Sequence, residues 1–174
     1  MRVISSERLA LLLGTLLLAP AAAHAQAFGI GSGAPAGKVA ASVTRVFGPG
    51  TRVDTLRVNA TPVLRVARGD SLLGFAQVRN VRGKEQPITF LVAIDPSDHL
   101  KDVDVLVYRE PYGGEVAYEP WRRQFRGHTS AEPLRVGREI RGISGATISV
   151  NAVTAGVRQA LAELTRWHQA GQLR

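Results

Sequence analysis

The sequence predicts an α+β domain: an antiparallel meander of strands with flanking helices gathered at its two ends. Three observations predict it. β-type segments succeed one another from residue 52 to residue 108 with no helical pattern between them. Residues 88–94 are apolar on both faces, as a central strand requires. Val150, Val153, Val157, Leu161 and Leu164 recur at spacings of three and four, the stripe of an amphipathic helix.

The 174 residues suffice for one domain with a modest core. Arg2 and Arg8 precede an apolar run over residues 9–19, and Ala23-His24-Ala25 is a small-residue cleavage signal. This pattern predicts a signal peptide over 1–25, an exported protein starting at Gln26, and a periplasmic or other extracytoplasmic location. The run is too short to span a bilayer comfortably as a helix. Residues 26–37, rich in Gly, Ala and Pro, read as a flexible linker, and the domain proper as 38–174. Gly29, Gly31 and Gly33 mimic part of a dinucleotide fingerprint, but no strand precedes them.

The chain has no cysteine, which excludes disulfides, thiolate metal sites and thioether haem attachment. Its formal net charge is +8, carried mostly by arginine. Export argues against nucleic acid as the partner of that charge. Attraction to an anionic membrane surface or to acidic proteins fits better.

Residues 38–47 predict a short helix ended by Gly48-Pro49-Gly50. Strands follow over 52–58, 63–67 and 72–81. In the third, Leu73 and Phe75 are out of phase with Ala76 and Val78, as a bulge would produce. Asp95-Pro96-Ser97-Asp98 is a turn. Residues 101–108 then alternate, with Val103, Val105 and Val107 on one face and Asp102 and Asp104 on an opposite, wet face.

The chemistry concentrates in two segments. Residues 139–150 run through Ser144-Gly145-Ala146-Thr147 into the valine-striped helix, with Ser144, Thr147 and Ser149 as possible caps. The Thr147 hydroxyl therefore sits at a helix N-terminus, where unpaired N–H groups and the dipole favour a phosphate. Gly145 and Ala146 leave the backbone open to a bulky ligand. The second segment, Glu110-Pro111-Tyr112-Gly113-Gly114, joins the last strand to a helix holding Trp121 and Phe125. Between 122 and 141 lie Arg122, Arg123, Arg126, Arg135, Arg138 and Arg141, opposed only by Glu132 and Glu139.

Ser144-Gly145-Ala146-Thr147 before a valine-rich helix resembles the flavin attachment site of the FMN-binding domain family. That family includes the periplasmic flavin subunits of the Rnf and sodium-pumping NADH:quinone reductase complexes. Glu110, Pro111, Gly113, Gly114, Trp121, Phe125 and Gly127 match a second family segment in order and in separation from Thr147. The resemblance covers roughly residues 70–165 and implies an FMN-binding domain-like fold. It implies FMN joined covalently to Thr147 by a phosphoester bond, made by a separate flavin transferase. It also implies a glycine turn against the flavin ring and a membrane-bound redox partner. Two positions depart from the family pattern: Arg141 stands where an aspartate is usual, and His128 where a lysine is. Glu139 could supply the missing carboxylate, or Arg141 could instead pair with the flavin phosphate.

A flavin needs a flat apolar wall, backbone donors at the ring edge and a phosphate site. Ser144, Gly145, Ala146 and Thr147, with Glu110, Gly113, Gly114 and Trp121, are the expected cofactor-binding residues; Trp121 or Tyr112 could stack on the ring. The arginine field would favour a reduced, anionic flavin and an acidic redox partner. The expected function is an exported electron carrier or redox subunit whose chemistry belongs to FMN, with no catalytic residue and no metal ligand of its own. Two other readings exist. A serine hydrolase would use Ser144, but Gly142-Ile143-Ser144-Gly145-Ala146 fails the G-x-S-x-G pattern at its fifth residue. A cofactor-free extracytoplasmic binding or scaffold domain would keep the helix turn as structure alone.

Overall fold

The computed structural model describes residues 33–174. The expected signal peptide over 1–25 and the linker residues 26–32 lie outside the described residues. Helix α1 (Ala36–Phe47) leads into strands β1 (Arg52–Val58), β2 (Thr61–Arg68), β3 (Ser71–Arg82), β4 (Pro87–Ile94) and β5 (Leu100–Val107). A 3-10 turn at Gly114–Ala117 follows, then α2 (Glu119–Arg122), a second 3-10 turn (Arg123–Phe125) and the long α3 (Thr147–Gln169). The strands form one antiparallel sheet in the order β1-β2-β3-β4-β5, the expected meander. Among the described residues, no helix is long and apolar enough to cross a membrane.

Both faces of the sheet are covered, which is why β4 carries no polar alternation. Ile88, Phe90, Val92 and Ile94 face one core with Val150, Val153, Val157, Leu161 and Leu164 of α3. Leu91 and Ala93 face a second core with Val39, Val43 and Phe47 of α1. Each fully buried aliphatic of the α3 stripe contributes about 1.5–3 kcal/mol relative to exposure. Gly156 lets α3 settle onto the sheet: a Cβ there would lie 2.6 Å from Val81 Cγ1 and 2.8 Å from Phe90 Cζ.

The irregularity expected in β3 is present. Val66 pairs with Gly74 but Ala67 with Leu72, so Leu73 is the extra residue. The bulge sends Leu73 to the α1 core and Phe75 to the α3 core, although they are two apart.

The reading of β5 needs two corrections. Thr89 pairs with Val107 and Phe90 with Val105, so Leu106 is inserted. Val107 thereby leaves the face of Val103 and Val105 and packs with Leu106 in the α1 core. Nor do Asp102 and Asp104 form a wet face. Asp102 is only 4% exposed. Its carboxylate meets Arg45 of α1 at 2.8 Å and Arg126 at 3.1 Å, while Asp104 meets Arg45 at 3.1 Å and Arg122 at 3.2 Å. Burial alone would raise the pKa of Asp102. Hydrogen bonds from Arg45 and Arg126, with the Arg45 charge, outweigh that penalty and hold it below the ordinary carboxylate value. The cluster ties α1 to β5 and to the segment after α2.

Candidate functional site

The site is assembled where β5 ends and α3 begins. Tyr108 follows β5 directly, and its hydroxyl joins three segments. It donates to the Tyr112 carbonyl at 2.5 Å, lies 2.9 Å from Ser149 Oγ in the first turn of α3, and lies 3.5 Å from Glu110 Oε2. Burial, supported by the neighbouring Glu110 charge, raises the Tyr108 pKa despite the opposing Ser149 hydrogen bond. The phenol therefore remains a donor at neutral pH.

Glu110 fixes a second loop. Its Oε1 accepts the backbone N–H groups of Glu85 at 2.6 Å and Gln86 at 3.0 Å, which depresses its pKa. The β3–β4 turn is thus clamped beside the site, with Lys84 on the wall of the cavity that holds Thr147.

Gly113 adopts a left-handed conformation with φ 87°. A Cβ there would sit 2.6 Å from Tyr108 Oη and 2.9 Å from Ser149 Oγ. The protein's own packing therefore demands glycine at this position. Gly114 is freer, its nearest neighbours being Tyr108 ring atoms at 3.7 Å.

None of the expected hydroxyls caps α3. Ala146 is the N-cap, its carbonyl accepting the Val150 N–H at 2.9 Å, and no side chain caps the helix. Ser149 is buried against Tyr108 instead. Thr147 is the first helical residue and is exposed. Among the described residues its hydroxyl makes no hydrogen bond.

Two adjoining cavities share Tyr112 and Gly145. One, of about 380 Å³, lies against Gly113, Gly114, Tyr118 and Ser144. The other, of about 360 Å³, lies against Lys84, Glu110, Ala146, Thr147 and Ile148. Tyr112 is 82% exposed, Tyr118 64% and Ile148 51%; all three large apolar side chains line these cavities. Such a grouping of exposed apolar surface marks a ligand or partner site. The residues present fit FMN: exposed rings and Ile148 for the flat body, and an open helix N-terminus with Lys84 opposite for the phosphate.

Seven of the eight expected site residues therefore meet around these cavities. Trp121 does not. It is a core residue, edge-on to Phe125 at 5.2 Å, and its indole Nε1 donates to the Arg141 carbonyl at 2.9 Å. Tyr112 is the ring that remains available for stacking. The arginine field is also smaller than composition implies. Arg122 and Arg126 are neutralised by Asp102, Asp104 and Glu119, and Arg135 by Glu139. Glu139 is not a free substitute for the missing aspartate, because its carboxylate accepts the Arg135 N–H at 2.7 Å. Among the described residues no nucleophile–base pair forms at Ser144: His99, His128 and His168 face Asp95, Glu132 and Asp98.

Tyr108 and Lys84 belong to the candidate site without having been expected there. Neither belongs to a recognisable pattern. The only signal was that Tyr108 closes an alternating strand two residues before Glu110.

Fold and site together define a small-ligand-binding α+β domain with its cleft at the start of the last helix. Residues 83–162, the segment that builds both cavities, match the model of the FMN-binding domain family. Among solved structures it is similar to a component of the Na(+)-translocating NADH-quinone reductase from Parabacteroides distasonis. The TM-score is 0.40 at 16% sequence identity, over 64% of this chain and 59% of that one. This chain thus aligns with less than two thirds of that protein's length. No curated protein matches it.

Proposed function

We propose that the protein is an exported electron-transfer flavoprotein carrying FMN on Thr147 through a phosphoester bond. The observation that supports this best is the state of Thr147. Its hydroxyl is exposed, unbonded among the described residues, and set at an uncapped helix N-terminus inside a cavity of the FMN-binding segment.

Attachment requires a flavin transferase and an FMN donor activated as a phosphoanhydride. The Thr147 Oγ1–phosphorus bond forms, the anhydride bond breaks, and the hydroxyl proton leaves with the departing phosphate. The unpaired N–H groups of the first turn of α3 and the Lys84 ammonium stabilise the resulting anion. Tyr112 and Ile148 would hold the ring, and Gly113 and Gly114 would shape the turn that lines the first cavity. When bound, FMN supplies the redox chemistry; the chain supplies attachment, orientation and exclusion of water. The donor and acceptor would be membrane-bound or soluble redox proteins on the same side of the membrane.

Co-expression with a flavin transferase tests the reading. The exported protein should be yellow after denaturation and heavier by one FMN phosphoester, with an N-terminus at Gln26. Thr147→Val should fold and lose the covalent colour. Covalent flavin persisting in that variant would exclude Thr147.

A further inference from the structure

A cleft of about 770 Å³ opens beside the attachment loop. Trp121, Arg123 and Gln124 form one wall, and Arg138, Glu139 and Arg141 the other. The three arginines are exposed. Among the described residues none of them is in an ion pair, whereas Arg122, Arg126 and Arg135 all are. The carboxylate on this wall, Glu139, is held by Arg135, at 2.7 Å from its N–H and 3.6 Å from its guanidinium. The walls are locked together: Trp121 Nε1 donates to the Arg141 carbonyl at 2.9 Å, and the Arg141 N–H donates to Gln124 Oε1 at 2.9 Å. Three cations that no ion pair neutralises thus share one cleft with a fixed backbone.

We propose that this cleft docks an acidic segment, rich in Asp and Glu, of the protein that exchanges electrons with the flavin. The proposal rests on the functional reading above. Guanidinium groups match carboxylates in geometry as well as charge. Such complementarity raises association rates and fixes orientation more than it adds affinity, as a transient redox contact needs. The cleft wall continues from Gly142 into the 143–146 turn that ends at Thr147, so a partner seated here lies next to the flavin site. An acidic protein fits better than a small anion, because all three guanidinium-bearing residues stand at the surface rather than enclosing a buried pocket. It fits better than a membrane, because the cationic surface is concave.

The test titrates the flavin-free and flavin-loaded full chain with a fluorescein-labelled deca-glutamate peptide and reads anisotropy. Binding should weaken steeply as NaCl rises above about 0.1 M. The triple variant Arg123→Gln/Arg138→Gln/Arg141→Gln should bind roughly tenfold more weakly. Arg57→Gln/Arg82→Gln/Arg174→Gln has the same net charge and should change affinity by less than about twofold. Peptide should also alter the flavin fluorescence of the loaded parent but not of the loaded cleft variant. Equal weakening in both triples would reduce the effect to overall charge and overturn the proposal. So would cleft-dependent binding of pyrophosphate or of phosphatidylglycerol vesicles without binding of the peptide. Absence of flavin at Thr147 would instead remove the functional reading, while the titration of flavin-free protein still decides the cleft.

Discussion

The hydroxyl of Tyr108 lies 2.9 Å from Ser149 Oγ, so two side chains join the end of β5 to the first turn of α3. They meet in the space that the absent Cβ of Gly113 leaves open. The two segments that line the cavities are therefore held at a fixed separation by a contact between their side chains.

Tyr108→Phe removes the donor to the Tyr112 carbonyl and leaves the buried Ser149 hydroxyl without this partner. The expected cost is about 1–3 kcal/mol, read by denaturant unfolding at pH 7. The folded pKa of Tyr108 is raised above its ordinary 10.0. The stability carried by its proton is therefore complete below that value and is lost as pH rises through the folded one. The difference between parent and variant should stay constant from neutrality to about pH 9 and shrink at higher pH. A variant as stable as the parent would show that the hydroxyl does not hold the site together.

The two glycines should separate cleanly. Gly113→Ala meets a left-handed φ and two polar atoms closer than 3.0 Å, and should lower stability by about 2 kcal/mol or more with or without flavin. Gly114→Val finds only ordinary contacts on the backbone side. It should disturb the visible flavin spectrum while the melting temperature changes little. If Gly114→Val unfolds the protein and leaves the spectrum intact, the turn is a structural feature only.

Asp102→Asn should be the most destabilising surface-distant change outside the apolar cores. It leaves Arg122, itself buried, facing Asp104 alone, with Arg45 and Arg126 also deprived of a carboxylate. Removing one member of a buried ionic cluster costs about 3–5 kcal/mol. Because the folded pKa of Asp102 is depressed, its contribution is present above the ordinary value of 3.8 and is lost as pH falls through the folded value. The parent's stability should therefore drop in strong acid more steeply than that of Asp102→Asn, as followed by circular dichroism.

What the sequence made legible follows from the range of the interaction. The α3 stripe and the two-faced apolar run of β4 are local periodicities, and both stand where expected. The bulge at Leu73 was readable because it shifts phase within one strand. Asp102 and Asp104 were misread because their partners come from elsewhere: Arg45 lies 57 residues before Asp102 and Arg126 lies 24 after it. An alternating strand cannot show whether its polar face meets water or arginine. Likewise Ser149 looked like a cap, since its bond to Tyr108 spans 41 residues. The place of Thr147 at the start of α3 was legible because the motif and the helix start coincide, whereas Lys84 reaches the cavity only through the Glu110 clamp on a distant turn.

That clamp leads to the last prediction. Lys84 shares a cavity with Thr147, while Arg141 lines the neighbouring cleft. The phosphoester on Thr147 should accordingly be neutralised by Lys84 and the α3 N-terminus rather than by Arg141. An anion at an exposed helix N-terminus is worth about 0.3–1 kcal/mol, and an exposed pair with an ammonium about 0.2–1 kcal/mol. Flavin-loaded parent should thus unfold at a higher temperature than unmodified parent. Lys84→Gln should reduce that increment, and Arg141→Gln should leave it intact. Glu110→Gln should act like Lys84→Gln at one remove, because the weakened clamp lets the 83–86 turn drift from the cavity. Melting curves of loaded and unloaded protein for each variant, at low and high salt, supply the comparison. An increment that falls in Arg141→Gln but not in Lys84→Gln would place the phosphate in the arginine cleft instead.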